Sequence, residues 1–397
     1  MTSLLLRNVR PYGGANSDLL IREGRIAGIG RFEADPGMPV EDGKGAIAIP
    51  GLIDAHTHLD KTTWGMPWHE NNRRAVLRER IDFERENRIE IGIDPHRQSM
   101  RHAIGLAAHG ATHIRSHVDI DPRHKLALVH GIMETREKLK GVIDIEIVAF
   151  PQSGLMVMPG TLELLDEALG QGCEVLGGID PCGIDRDPKG QLDAIFALAV
   201  KHQCPIDIHL HEAGELGAFT MELMFERIRA NGMQGKVAIS HAFALGMNDY
   251  LRVGQLIEQI AELDVAILTT GAPSATVPSI MRLKQAGVRV GAGCDGIRDT
   301  WGPWGQPDML DRAKVVGMKN GLRSDIELAH VLHIVSQGGA DVMRIEGYGL
   351  AEGCNADLTL LTGESLAHAV VDVAPRALVV KGGRITARNG QATVEMP

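Results

Sequence analysis

Pro50-Gly51-Leu52-Ile53-Asp54-Ala55-His56-Thr57-His58-Leu59-Asp60 is the stretch on which the reading of this chain turns. An apolar run enters it as a strand, and in a strand side chains two apart share a face, so His56 and His58 point the same way. Two imidazoles on one face suit Zn²⁺ or Fe²⁺, whereas Mg²⁺ or Ca²⁺ takes oxygen ligands. A lone pair of this kind is a weak signal. Its weight comes from what surrounds it.

Short β-branched runs recur at Ile49–Asp54, His113–Val118, Asp144–Phe150, Val175–Ile179, Ile206–Leu210, Val237–Ser240, Val265–Thr269 and Val288–Gly291. Segments with apolar residues at three-to-four spacing lie between them, the clearest being Leu162–Leu169, Leu192–Lys201, Phe219–Arg229 and Tyr250–Leu263. This alternation predicts an α/β protein with a (β/α)₈ barrel, an open doubly wound sheet being the alternative. Polar residues decide for the barrel, whose active sites lie at the C-terminal strand ends. The fifth run ends in His209-Leu210-His211-Glu212, the sixth in Ser240-His241 and the eighth in Gly293-Cys294-Asp295-Gly296. The connection from Trp64 to Gly110 is long and charged and carries Pro67 and Pro95. A cover for the barrel mouth and a surface helical excursion both fit it.

A chain of 397 residues holds such a barrel, roughly 250 residues, with a smaller companion. The companion is read from the ends. Ile21 to Ile29 runs strand, turn, strand with Gly24-Arg25-Ile26 after the turn, and Val380 to Thr386 repeats this with Gly383-Arg384-Ile385, after the strand-like Ala356–Leu361. The prediction is a small β-sandwich domain from residues 1–50 plus 346–397, around a barrel at 51–345. A formal charge of -10 without a basic run repels a phosphate backbone, so no nucleic-acid partner is expected. No stretch approaches the ~20 apolar residues of a membrane span, and Met1 to Arg7 is too short for a signal segment. Five scattered cysteines without a CxxC pair read as free thiols. No membrane association and a cytoplasmic location are expected.

Taken in order, the PGLIDAHTHLDK segment, His113 to Asp119, Val148 to Gly154, His209 to Glu212, Ser240-His241 and Asp295 to Trp301 resemble the amidohydrolase superfamily. Within it they resemble the branch of cytosine deaminases and N-isopropylammelide amidohydrolase. The resemblance implies one divalent metal ion, Zn²⁺ or Fe²⁺, held by His56, His58, His209 and Asp295. Members with two metals carry a bridging lysine at the end of the fourth strand, and Val175 to Pro181 has none. A bound metal lowers the pKa of its water toward ~7. Asp295 would take the proton of that water, Glu212 would shuttle it to the ring and the leaving amine, and His241 would orient the nucleophile or polarise the attacked carbon.

For substrate, the resemblance implies that Gln152 reads an N–C=O ring edge, since a primary amide both donates and accepts. Phe150 and Trp301 could stack on a flat ring. Lys61, Asp180 and His211 stand near the mouth, and Lys61 and His211 lean toward the triazine pattern. Arg115 and His117 would support the ligands from behind. Gly296 replaces a second aspartate of the cytosine deaminases. It either leaves room for a bulkier ring or is a glycine the backbone requires. The expected partner is a small nitrogen heterocycle and the expected assembly a homo-oligomer. The expected reaction is hydrolytic release of ammonia from a cytosine-like ring. Alternatives are release of an alkylamine from an N-isopropylammelide-type triazine, hydrolysis of a cyclic amide, and a noncatalytic scaffold.

Overall fold

The computed structural model describes residues 2–72 and 74–397. Eight parallel strands, Leu52–Thr57, Ala111–Asp119, Asp144–Phe150, Val175–Ile179, Ile206–His209, Val237–Ser240, Ala266–Thr269 and Val290–Ala292, stand side by side in chain order. The eighth returns to the first: Thr57 bridges Asp295 in parallel, and the Asp295 N–H donates to the His56 carbonyl at 2.9 Å. This close approach requires Gly293, where a Cβ would collide with the His56 backbone. The result is a nearly closed barrel with helices between its strands.

The first barrel strand is displaced from its expected position at Ile49–Asp54. Ile47–Pro50 is a strand of a different sheet, paired antiparallel with Leu358–Leu361, and the barrel strand begins after Gly51. A continuous apolar run looks the same whichever sheet buries it, so the crossing point was not readable. That second sheet has nine strands drawn from both ends of the chain. It contains the two expected hairpins, Ser17–Arg22 with Arg25–Gly30 and Arg376–Lys381 with Arg384–Arg388. Leu6, Leu19, Ile21, Leu358 and Val380 form its own core.

The long connection folds into two helices, Leu77–Ile91 and Pro95–Ala108. Pro95 starts the second instead of breaking a helix: Asp94 caps it, accepting from the Arg97 N–H, and proline suits the first helical position. The first helix packs Ile81 against Phe150, Ile179 and Ile184, and Arg78 donates to the Ser153 carbonyl at 2.9 Å. These residues lie at or just past the ends of the third and fourth strands, so this helix covers part of the mouth. No helix among the described residues is long and apolar enough to cross a membrane.

Candidate active site

The strand ends bring the four expected ligands together. His58 Nε2 lies 3.4 Å from His209 Nε2 and 3.4 Å from Asp295 Oδ1, and His56 Nε2 lies 3.8 Å from the same oxygen. Two donors about 2.1 Å from one ion at the tetrahedral angle are about 3.4 Å apart, so the spacing fits a first-row cation. His56 Nε2 is buried without a hydrogen-bond partner. Burial pushes His56 down to about 3 and lowers His58 and His209 as well, which keeps all three imidazoles in the neutral, ligating form. Asp295 lies among His241, His58 and His56, and its carboxyl is well below the usual range although burial opposes its ionisation. The residues present therefore fit a divalent cation.

The outer ring nitrogens of His58 and His56 are fixed from behind. His58 Nδ1 donates to the His117 carbonyl at 3.2 Å, and His56 Nδ1 meets Ser240 Oγ at 2.9 Å. The Ser240 hydroxyl donates to Asp207 at 2.6 Å, so it must accept from His56, leaving the His56 Nε2 lone pair facing the cluster. Arg115 holds the other Asp207 oxygen at 3.0 Å. Arg115 thus acts through Asp207, which the sequence reading passed over. The clue was present, since Asp207 is two residues before His209 and shares its strand face. Phe150 is wholly buried and stacks on His209, centroids 4.1 Å apart, so it positions that imidazole and has no free face for a ring.

Glu212 does not cap the helix that follows it. Its Oε1 accepts from the Cys182 and Gly183 N–H groups at 2.7 and 2.8 Å, and Oε2 accepts from the Thr220 hydroxyl. Burial raises its carboxyl above the ordinary glutamate value. Asp180 sits beside it, accepting from the His211 and Glu212 N–H groups at 2.6 and 3.2 Å and contacting His211 Nδ1 at 2.7 Å. His211 stacks on His241, centroids 4.2 Å apart. Neither ring nitrogen of the buried His241 has a partner, and burial holds it well below the ordinary value, hence neutral. Asp180, His241 and Asp295 adopt φ of 32°, 67° and 60°. Non-glycine residues rarely enter this region, and three of them at the ends of strands four, six and eight mark a strained mouth.

On the opposite side, Lys61 and Gln152 meet inside a buried ionic cluster. Lys61 Nζ donates to Gln152 Oε1 at 2.6 Å and to Asp119 at 3.2 Å. Gln152 Nε2 donates to Asp119 at 2.8 Å and to Glu84 at 3.4 Å. Arg88 reaches Glu84, Asp119 and Asp60 at 2.6, 3.0 and 3.3 Å. Glu84 and Arg88 come from the helix Leu77–Ile91, and no sequence signal singled them out. Trp301 borders this cluster, its ring centroid 5.5 Å from Lys61 Nζ.

Gly296 provides neither of the two things expected of it. Its φ is not left-handed, and the space beside it is filled by Asp299, whose Oδ2 a Cβ at 296 would strike. Asp299 Oδ1 accepts from the Trp301 and Gly302 N–H groups at 2.8 and 3.0 Å, which folds the loop back onto the glycine. Burial, with Glu84 adding to it, raises the Asp299 carboxyl to about 7. Beside Glu212, His211 and Asp180 lies a cavity of about 680 Å³ that is also lined by Val76, Leu77, Val157 and Ile184 and by Arg78 and Arg186.

Three neutral imidazoles and a carboxylate at the mouth of a (β/α)₈ barrel, with a buried glutamate near them, define a hydrolase with a potential metal centre. The chain belongs to the amidohydrolase family, which it matches over residues 40–394. It is 45% identical to the N-isopropylammelide isopropylaminohydrolase of Burkholderia multivorans, whose crystal structure superposes with a TM-score of 0.95 over 99% of this chain and 100% of that one. The 5-methylcytosine deaminase of Klebsiella pneumoniae, liganded with 5-fluorocytosine, is 27% identical, with a TM-score of 0.85 and 98% of each chain covered. The N-isopropylammelide isopropyl amidohydrolase of a Pseudomonas species is 31% identical over 88% of each chain. The family makes this chain an enzyme of C–N bond hydrolysis, not a scaffold.

Proposed function

We propose that this enzyme hydrolyses the exocyclic C–N bond of an oxo-substituted nitrogen heterocycle, and that the amine it releases is an alkylamine from an N-isopropylammelide-type triazine. The carrying observation is the cavity, whose lining brings the apolar Val76, Leu77, Val157 and Ile184, with Arg78 and Arg186, together with Glu212. Apolar side chains beside the acid-base glutamate suit an alkyl substituent on the departing nitrogen. The 45% identity to an isopropylaminohydrolase supports the same reading. Release of ammonia from a cytosine-like ring is the second reading, supported by the 5-methylcytosine deaminase.

A divalent cation held by His56, His58, His209 and Asp295 would supply Lewis-acid activation of water at neutral pH. Asp295, ionised and at the mouth, takes a proton from the attacking water. Burial keeps a proton on Glu212 to higher pH than an ordinary glutamate; Glu212 gives it to the ring nitrogen, the proton held by Asp295 goes to the departing nitrogen, and the hydroxyl proton of the attacked carbon returns to Glu212 as the C=O forms. His241, neutral and unpartnered, is free to orient the water or the attacked carbon. A ring C–O bond forms, the C–N bond breaks, and water and the substituted ring become an oxo ring and a free amine.

The test is amine release from N-isopropylammelide, ammelide, cytosine, 5-methylcytosine and isocytosine by Zn²⁺- and Fe²⁺-loaded enzyme. Isopropylamine should appear, and Glu212→Gln should lower kcat about 10²–10⁴-fold without loss of bound metal. Turnover of the pyrimidines alone would transfer the conclusion to the second reading. Bound metal with no turnover would refute both and bring cyclic amides forward.

A further inference from the structure

We propose that Glu84, on the helix that crosses the barrel mouth, is a positioning residue that fixes the donor and acceptor sense of Gln152 and Lys61, so that the site selects rings presenting an N–H beside a C=O. This rests on the reading of the pocket as a heterocycle site.

Lysine has no acceptor, so the atom of Gln152 that meets Lys61 Nζ at 2.6 Å must be the amide oxygen. The amide nitrogen then faces carboxylates, Asp119 at 2.8 Å and Glu84 at 3.4 Å, and both of its hydrogens are taken. What remains for a ligand is the second lone pair of Oε1, an acceptor. Lys61 gives protons to Gln152 at 2.6 Å and to Asp119 Oδ1 at 3.2 Å, and its third proton meets only long contacts, Asp119 Oδ2 at 3.4 Å and Glu84 at 3.5 Å, which a ligand can displace. Next to the acceptor there is therefore a cationic donor. The complement is a ring N–H flanked by a carbonyl, the lactam or imide edge of oxo-triazines and oxo-pyrimidines. This differs from the expectation that Gln152 alone reads both halves of an N–C=O edge. In the structure the amide accepts and the ammonium donates.

One oxygen of Glu84 holds this arrangement. Oε1 accepts from Arg88 at 2.6 Å and from Gln152 at 3.4 Å and lies 3.5 Å from Lys61, while the side chain is fully buried. Arg88, one helical turn along, ties the same helix to Asp60 and Asp119 on the first and second strand ends. Without the Glu84 charge, Gln152 loses one of two acceptors and the Lys61 ammonium loses a counter-charge, so the edge-reading pair loosens while the metal ligands on the strands stay in place.

The experiment uses the metal-loaded enzyme and two probes that are not turned over. One is cyanuric acid, the trioxotriazine that hydrolysis of N-isopropylammelide would leave, and the other is its N,N′,N″-trimethyl derivative, which has no N–H. Calorimetry should show wild type binding cyanuric acid and discriminating strongly against the methylated ring. Glu84→Gln should weaken cyanuric acid about tenfold or more and narrow that discrimination, with metal content unchanged, and Glu84→Asp should restore part of both. In turnover the Glu84→Gln defect should fall on KM, with kcat within about threefold. Unchanged Kd and discrimination in a Glu84→Gln protein that merely melts earlier would overturn the proposal, as would a defect confined to kcat. Wild type that binds neither ring would instead sink the heterocycle reading itself.

Discussion

The second barrel strand, Ala111–Asp119, carries a histidine at each end, and the two live in opposite chemistry. His113, at the floor, has every neighbour accounted for: Thr112 Oγ1 at 3.0 Å, Lys381 Nζ at 3.2 Å and Asp144 at 3.3 Å. Lys381 in turn bridges Asp144 and Asp357 at 2.6 and 2.7 Å, tying the barrel floor to the sheet built from the chain ends. His117, four residues on at the mouth, has both ring nitrogens buried without a partner, and His56, His209 and His241 near it each leave at least one nitrogen unmet. An unpartnered buried polar group costs about 1–3 kcal/mol, so a fold accumulates several in one place only where something else is served. The floor is built for stability, and the mouth gives stability up where a metal ion could be held.

The sharpest way to break this contrast is to remove one residue from each end. His209→Ala should abolish stoichiometric metal binding and amine release together, while the metal-free protein melts within a few degrees of metal-free wild type. Lys381→Met should do the reverse: metal content is retained, but stability falls by about 3–5 kcal/mol in urea unfolding because Asp357 is left buried without its cation. If both variants lose metal, or both only lose stability, the two ends are not functionally separate.

A smaller effect tests how far the ligating character of the mouth extends behind the ligands. Ser240→Ala removes the acceptor that fixes His56 and strands the Asp207 oxygen it served. Metal affinity, measured by chelator competition, should drop about 10–100-fold with the fold intact. An unchanged affinity would mean that packing alone orients His56.

How much of this was legible depended on whether the signal was local. The barrel was readable from its recurring apolar runs and the common facing of His56 and His58 from strand periodicity, whereas the full candidate ligand set came through the family resemblance and Asp207, two positions before His209 on the same wall, was passed over. The hairpins at the two ends were readable from their turn residues. The start of the first barrel strand was not, because Ile47 to Ile53 stays apolar through a change of sheet. Glu84 and Arg88 were invisible for a different reason. On a charged helix they look like solvated i,i+4 partners, and only the packing of Ile81 onto the mouth turns that face inward. Asp299 was missed because a three-residue loop return, not a sequence pattern, brings it against Gly296.

The smallest predicted effect concerns the sign of the floor's pH dependence. Burial would raise the Asp144 carboxyl, yet His113 and Lys381 together hold it far below its ordinary value. A group depressed in the folded state stabilises at pH above its unfolded pKa, about 4 for aspartate, and that contribution is lost as pH falls toward the folded value. Asp144→Asn should therefore lower Tm by a few degrees at pH 7, with a gap that narrows progressively below pH about 4. Because the Asp144 side chain is 58% exposed, the gap should also shrink in high salt, which screens solvent-facing pairs. A gap that holds constant from pH 7 to pH 3 would show that Asp144 acts as a neutral hydrogen-bond acceptor. The floor would then owe its stability to geometry and not to charge, and its contrast with the mouth would rest on Lys381 and Asp357 alone.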